Sequence, residues 1–220
     1  MSFDGDKLTL AAADGFRLAV ASAKLDEPAR ETVSVIVPGK ALNIFSRVLG
    51  DEDQPVEIAV AANKSQILFH SGTVDFVTRL VDGTFPNYHQ IIPQSYTSRA
   101  VMNGAEFLKA AKVAAIFSKE SANVVRLDMA EGKELTPATV TVSANAAEVG
   151  ENSTDLDASV DGPGGKIAFN ATYLIDVLNV IGSSQVALEM QTPSSPGVIR
   201  PVGDEGYTHV IMPMHLAGGR

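Results

Sequence analysis

Leu80-Val81-Asp82-Gly83-Thr84-Phe85-Pro86-Asn87-Tyr88-His89-Gln90-Ile91-Ile92-Pro93 is the stretch where the alternation of apolar and polar residues stops, to resume a few residues later. Gly83 takes the positive φ of a turn at little steric cost. Pro86 and Pro93 hold the residues before them extended, so an extended crossing is expected here rather than a helix. Phe85, Tyr88, Ile91 and Ile92 are too apolar for a flexible linker, which is rich in Gly, Ser and charge. The sequence therefore predicts a packed connector over residues 82–97. It ties a first domain, residues 1–93, to a second, residues 98–220.

Upstream, residues 8–13 and 16–22 are short extended runs around Asp14-Gly15, a dipeptide favoured in tight hairpin turns. Val33–Val37 reads as a strand. Pro38 starts a helical pattern that runs to Leu49 and is closed by Gly50. Leu42, Phe45 and Leu49 share one helix face, and Lys40, Asn43 and Arg47 form a small basic stripe on another. Strands resume at Val56–Ala62, Gln66–Ser71 and Thr73–Val81, which gives β-β-β-α-β-β-β for the first domain.

Downstream, Arg99–Asn103 reads as a strand and Ala105–Phe117 as a helix burying Phe107, Leu108, Ala111, Ala114 and Ala115. Lys109, Lys112 and Lys119 gather on a different face, and Ile116 falls in that lysine sector with Phe117 beside it. A bulky apolar pair is thus expected to be exposed near the helix end. Strands follow at Val124–Ala130, Ala138–Asn145, Thr154–Val160 and Lys166–Phe169, then a helix over residues 171–181 that buries Leu174, Val177, Leu178 and Ile181 before Gly182. Gln185–Gln191, Gly197–Arg200 and Gly206–Met212 complete the strands. Val37–Gly50 matches Phe169–Gly182 at a constant offset of 132 residues, with three strands after each. Two copies of one domain account for this, with antiparallel sheets covered by helices on one face: an α+β fold. The first copy has no counterpart of the segment Arg99–Met129, so the chain is expected to begin inside a domain, the first domain being incomplete.

The composition of the 220 residues, 45% hydrophobic and 20% charged, is that of a globular chain with a real core. No apolar run of about 18 residues and no signal-peptide pattern occurs, and cysteine is absent, which together predict a cytoplasmic protein without disulfides or thiolate metal sites. The net charge of −9 opposes a general nucleic-acid-coating surface, leaving only local basic patches. No metal or cofactor is expected: His70, His89, His209 and His215 are scattered, and Gly162-Pro163-Gly164-Gly165 lacks the Lys-Ser/Thr of a phosphate loop. Catalysis finds no foothold, although an enzyme such as a metal-dependent hydrolase could assemble from distant residues.

Four motifs in order carry a family resemblance: Asp14-Gly15-Phe16-Arg17-Leu18-Ala19, Val81–Tyr88 with Ile92-Pro93, Phe169-Asn170-Ala171-Thr172-Tyr173-Leu174, and Val210-Ile211-Met212-Pro213-Met214. Together the chain resembles the beta sliding clamp family of bacterial DNA polymerase III, over most of the middle domain and the whole of the last. The resemblance implies a non-catalytic processivity factor, a homodimeric ring around duplex DNA that tethers the polymerase, clamp-loader subunits and other replication or repair proteins by their short peptide motifs. It also implies a peptide-binding pocket from Ala13, Gly15, Phe16, Arg17, Leu18, Pro86, Gln90, Ile91, Val210, Ile211, Met212, Pro213, Met214, His215 and Leu216. Phe16 stands where the family commonly has His, Ala13 where it has Thr, and Gln90 and His215 where it has basic residues.

Lys40, Arg47, Lys109, Lys112 and Lys119 are expected to face DNA, and Ile116 and Phe117 to lie at the dimer interface. Each reading has a plainer rival. Val210–Met214 could be a final core strand, the lysines a solvated face, and Ile116 and Phe117 a lid on the helix end. A stand-alone peptide-binding module that never encircles DNA is the alternative function.

Overall fold

Asn103 and Asn170 each end a strand and open a helix by the same chemistry. The side-chain oxygen of Asn103 accepts from the N–H groups of Ala105 (2.9 Å) and Glu106 (3.0 Å), and that of Asn170 from Thr172 N–H (2.9 Å). These acceptors satisfy N–H groups that a helix start leaves without partners. The structure, a computed structural model, describes residues 1–49, 54–132, 136–146 and 150–215. Gly50, expected to close the first helix, and Leu216 of the expected pocket lie outside them.

Two compact units divide the chain: Met1–Leu10 with Ser22–Asn87, and Ala11–Ala21 with Tyr88–Arg220. The second contains β8 (Ser98–Asn103), α2 (Gly104–Ser118), β9 (Val124–Ala130), β10 (Thr139–Ala146) and β11 (Gly150–Asp161), then β12 (Gly165–Asn170), α3 (Ala171–Ile181), β13 (Gln185–Met190), β14 (Gly197–Pro201) and β15 (Tyr207–Ile211). Each half is one β-α-β-β-β run. The strands are antiparallel in the order β12-β9-β10-β11-β8-β13-β14-β15, and residues 17–21 of β3 (Arg17–Lys24) pair with the free side of β15.

β11 joins the two halves of this sheet. Its residues 150–157 pair with β10 and its residues 158–161 with β8. Helices α2 and α3 pack against each other and against the strands, enclosing Phe107, Leu127, Ile167, Phe169, Leu174, Leu188 and Ile199, all of them buried. Each such side chain contributes about 1.5–3 kcal/mol on burial, so this cluster dominates the stability of its unit.

The first unit contains β1 (Ser2–Asp4), most of β2 (Lys7–Ala13), β4 (Val33–Ser34), α1 (Gly39–Leu49), β5 (Glu57–Val60), β6 (Gln66–Ser71) and β7 (Val74–Arg79). β1 lies between β2 and β4, and β5-β6-β7 form a separate three-stranded sheet. The smaller core is aromatic. Phe45 of α1 sits 4.8 Å from Phe69 and 5.3 Å from Phe76 between ring centroids, with Ile67, Val35, Leu42 and Leu49 around them.

The helices fall where their periodicity puts them, and α1 and α3 span residues 39–49 and 171–181, preserving the 132-residue offset. Four expectations need correction. Tyr88–Gln90 forms a single 3-10 turn, with Ile91 N–H donating to Tyr88 O (3.0 Å), because the proline constraints act on Phe85 and Ile92 and leave Tyr88–Gln90 unrestricted. The strand expected over Val33–Val37 stops at Ser34, and Val35 N–H goes instead to Met1 O (2.9 Å). β1 was not expected, so the first unit has one more strand than the pattern implies. β11 starts at Gly150 rather than Thr154, since its polar early residues are held by the ladder to β10 and carry no apolar alternation. Among the described residues, no helix is long and apolar enough to cross a membrane.

Gly197 faces the ring of Phe169 so closely that a Cβ would collide with it. Gly197→Ala is expected to cost about 1–3 kcal/mol by overpacking, and Asn103→Ala about 1 kcal/mol by loss of the cap. Urea unfolding followed by far-UV circular dichroism checks both, the glycine variant having the lower midpoint.

Candidate functional site

Asp14-Gly15 reverses the chain so tightly that one carboxylate organises the whole turn. Asp14 Oδ1 accepts from the N–H of Phe16 and of Arg17, both at 3.1 Å, and Oδ2 accepts from Arg17 Nε at 2.9 Å. Gly15 has φ +88°, a conformation that costs glycine little. β3 leaves this turn paired with β15, Arg17 opposite Ile211 and Leu18 opposite Val210. Neighbouring strand residues face opposite sides of a sheet, so this short ladder builds two different surfaces.

On one side Leu18, Val198 and Val210 are buried, with Val20 and the connector residues Tyr88, Ile91 and Ile92 packed over them. On the other, Arg17 is anchored against α3. Its Nη1 donates to Asp176 Oδ2 at 2.7 Å, and its guanidinium carbon lies 4.5 Å from the centroid of the Tyr173 ring. Phe16 stacks on the same ring at 6.3 Å and is 60% exposed. Beyond β15, Met212 N–H donates to Phe16 O and Met214 N–H to Ala168 O, both at 2.8 Å. The terminal segment is thereby tied down along the rim.

Electrostatics follow from these partners. The hydrogen bond to Asp176 leads the effects that raise the Arg17 pKa, while partial burial opposes them. For Asp14 partial burial pushes upward, yet the N–H groups of Phe16 and Arg17 and the guanidinium together hold its carboxyl below the usual range. His209, buried behind Arg17, has its pKa lowered to about 4, first by burial and then by the positive charge of Arg17. Its Nδ1 lies 3.0 Å from Tyr207 Oη, whereas its Nε2 is buried without a hydrogen-bond partner among the described residues. Burial raises the Tyr207 pKa.

Of the residues expected in a pocket, Gly15, Phe16, Arg17, Leu18, Gln90, Ile91, Val210, Met212, Pro213, Met214 and His215 all belong to the second unit, as does exposed Ala13. Pro86 belongs to the first. Ile211 is a core residue on the opposite face from Val210. Sequence reading passed over Tyr173, Asp176, Val198 and Tyr88 as site residues. Tyr173 stood in a quoted motif, and Asp176 lies one turn further along the same helix. The Arg17–Asp176 pair spans 159 residues, a separation no local pattern encodes.

Lys40 and Arg47 are exposed on α1, Lys109 and Lys112 on α2, and Lys119 just beyond it. Lys109 and Lys112 border a shallow groove with Leu108, Val113 and Ile116. The expected exposed pair divides: Ile116 is 61% exposed, but Phe117 leans into the core because the helix turns it inward.

Because His209 folds neutral with a pKa near 4, the unfolded chain binds more protons between that value and 6.5, and stability falls as pH drops through this window. The loss attributable to His209 between pH 7 and pH 4.5 is about 2.5 kcal/mol. Denaturant unfolding of the wild type and His209→Phe at both pH values checks this; the variant should show the smaller decline.

Comparison with known proteins bears on this site. A family model described as the DNA polymerase III beta subunit, C-terminal domain, matches residues 89–215, and one for the central domain matches residues 1–87. The beta sliding clamp of Staphylococcus epidermidis is 31% identical over 210 residues, covering 95% of this chain and 54% of the relative, and that of Staphylococcus aureus matches equally. Among solved structures, the DNA polymerase sliding clamp of Bacillus subtilis superposes with a TM-score of 0.90 at 30% identity, covering 98% of this chain and 56% of that one. The DNA polymerase III subunit beta of Pseudomonas aeruginosa gives 0.87 at 30% identity, covering 98% and 57%. This chain thus spans about half the length of the curated relatives it matches. With the two domain models matched in order over residues 1–87 and 89–215, the chain belongs to the DNA polymerase III beta subunit family.

Proposed function

We propose that this chain is part of a DNA polymerase processivity factor, a sliding clamp without catalysis of its own that holds replication and repair proteins on duplex DNA through short peptide motifs. The single observation that carries the peptide-binding reading is the convergence of three distant segments, Phe16–Leu18, Tyr88–Ile92 and Val210–Met214, around β3 and β15. An extended peptide docks where apolar anchors meet a rim of backbone groups, and methionines adapt to varied anchors. Burying two anchors yields about 3–6 kcal/mol before ordering costs. Main-chain hydrogen bonds then bring the total towards the roughly 8 kcal/mol of micromolar binding.

The DNA role rests on family membership and on the exposed cations Lys40, Arg47, Lys109, Lys112 and Lys119, which suit sequence-blind phosphate contact. In the proposed homodimer Ile116 and Phe117 serve the subunit contact, Ile116 as the exposed member and Phe117 as its support.

Titration calorimetry with Gln-Leu-Ser-Leu-Phe should give micromolar binding, weakened about tenfold by Met214→Ala through loss of buried contact. No heat from the wild type, or unchanged affinity in the variant, contradicts the pocket. For DNA, the full-length protein with Lys109→Glu and Lys112→Glu should be retained less well on circular duplex of any sequence, with a shallower salt dependence.

A further inference from the structure

The Arg17 guanidinium at the rim of the candidate peptide site is held between two carboxylates. Arg17 meets Asp14 at 2.9 Å and Asp176 at 2.7 Å, and its plane lies over Tyr173. One cation against two carboxylates leaves one net negative charge. The exposures place that charge outward: the Arg17 side chain is 28% exposed, those of Asp14 and Asp176 44% and 49%. His209 behind Arg17 is neutral near pH 7, and the exposed connector residue Gln90 adds no charge. An incoming ligand therefore meets carboxylate as well as guanidinium at this rim.

Asp176 stands one helical turn beyond Tyr173, so the two share a face of α3. Phe16 stacks on Tyr173 while remaining largely exposed, making an aromatic shelf beside the carboxylates. Resting on the reading of this site as a peptide pocket, we infer that it selects extended peptides carrying a Lys or Arg next to their apolar anchors and discriminates against Asp or Glu there. The anchor lies on the Phe16–Tyr173 shelf, and the neighbouring cation reaches the exposed carboxylate of Asp176 beside it. Rim charges of this kind act mainly on specificity, because solvent screens them and an acidic ligand is repelled as strongly as a basic one is attracted.

The test is a set of peptides built on Gln-Leu-Ser-Leu-Phe, with Lys, Ser or Asp placed in turn at the middle position and at each flank. Binding to the unmodified protein is measured by calorimetry at low and high salt. The expected result is Lys tighter than Asp by about fivefold or more at one position at least, with the ratio shrinking as salt is added. Asp176→Asn should bring that ratio towards one, since the single net charge is then removed. Equal affinities across the set, within about twofold, or a preference for Asp at any position, overturn the inference while leaving the peptide pocket standing. Failure of every peptide to bind removes the pocket itself, and the inference with it.

Discussion

The ladder between β3 and β15 is the constraint on which the site depends. With Leu18 opposite Val210, the apolar side chains face the connector, and with Arg17 opposite Ile211, the guanidinium faces α3. A slip of one residue would exchange these faces, driving Arg17 into the cluster of Val198 and Val210 and setting Leu18 against Asp176. A buried unpaired charge costs several kcal/mol, so the register is strongly selected. Asp14 fixes it from the turn, and the bond from Met212 N–H to Phe16 O extends it past the end of β15.

Burial and charge divide the work between the two faces. Leu18, Val198 and Val210 each contribute about 1.5–3 kcal/mol by leaving water. An ion pair as exposed as Arg17–Asp176 contributes at most about 1 kcal/mol, because solvent screens it. Stability therefore comes from the face sealed by Tyr88, Ile91 and Ile92, and the polar face contributes charge more than stability. His209 shows the limit of this division. It is buried deeply enough that desolvation, reinforced by Arg17, keeps it neutral, whereas the more exposed carboxyl of Asp14 is held below its usual range by the N–H groups of Phe16 and Arg17 and by the guanidinium.

Much of this was legible in the sequence, for identifiable reasons. Helices α2 and α3 have apolar faces at helical spacing with Asn caps, and the Asp14-Gly15 turn combines a side-chain acceptor with a residue free to adopt positive φ. The 132-residue repeat gave the order of elements around α1 and α3. Hidden were features fixed by tertiary partners. The polar start of β11 is a strand because β10 pairs with it, and the 3-10 turn at Tyr88–Gln90 falls in a stretch where local constraints are silent. Asp176 reads as an ordinary exposed carboxylate of an amphipathic helix until Arg17 is placed beside it. The site's apolar segments could be named from sequence motifs, but its charge balance required three-dimensional proximity.

The β-α-β-β-β run occurs three times, around α1, α2 and α3, yet only α3 builds this site. At the 132-residue offset the places of Tyr173 and Asp176 in α1 are held by Ala41 and Ile44, which offer neither a ring nor a carboxylate to an arginine. Aligning the caps Asn103 and Asn170 sets Glu106 of α2 opposite Tyr173 and Lys109 opposite Asp176. A lysine there would repel a guanidinium placed like Arg17. Conversely α3 presents Thr172 and Asn179 where α1 carries Lys40 and Arg47, and Asn179 also where α2 carries Lys112, so it holds no cation to attract phosphate. One backbone plan thus yields a helix committed to an anchored arginine and two with basic exposed faces, the difference residing in two or three side chains per helix.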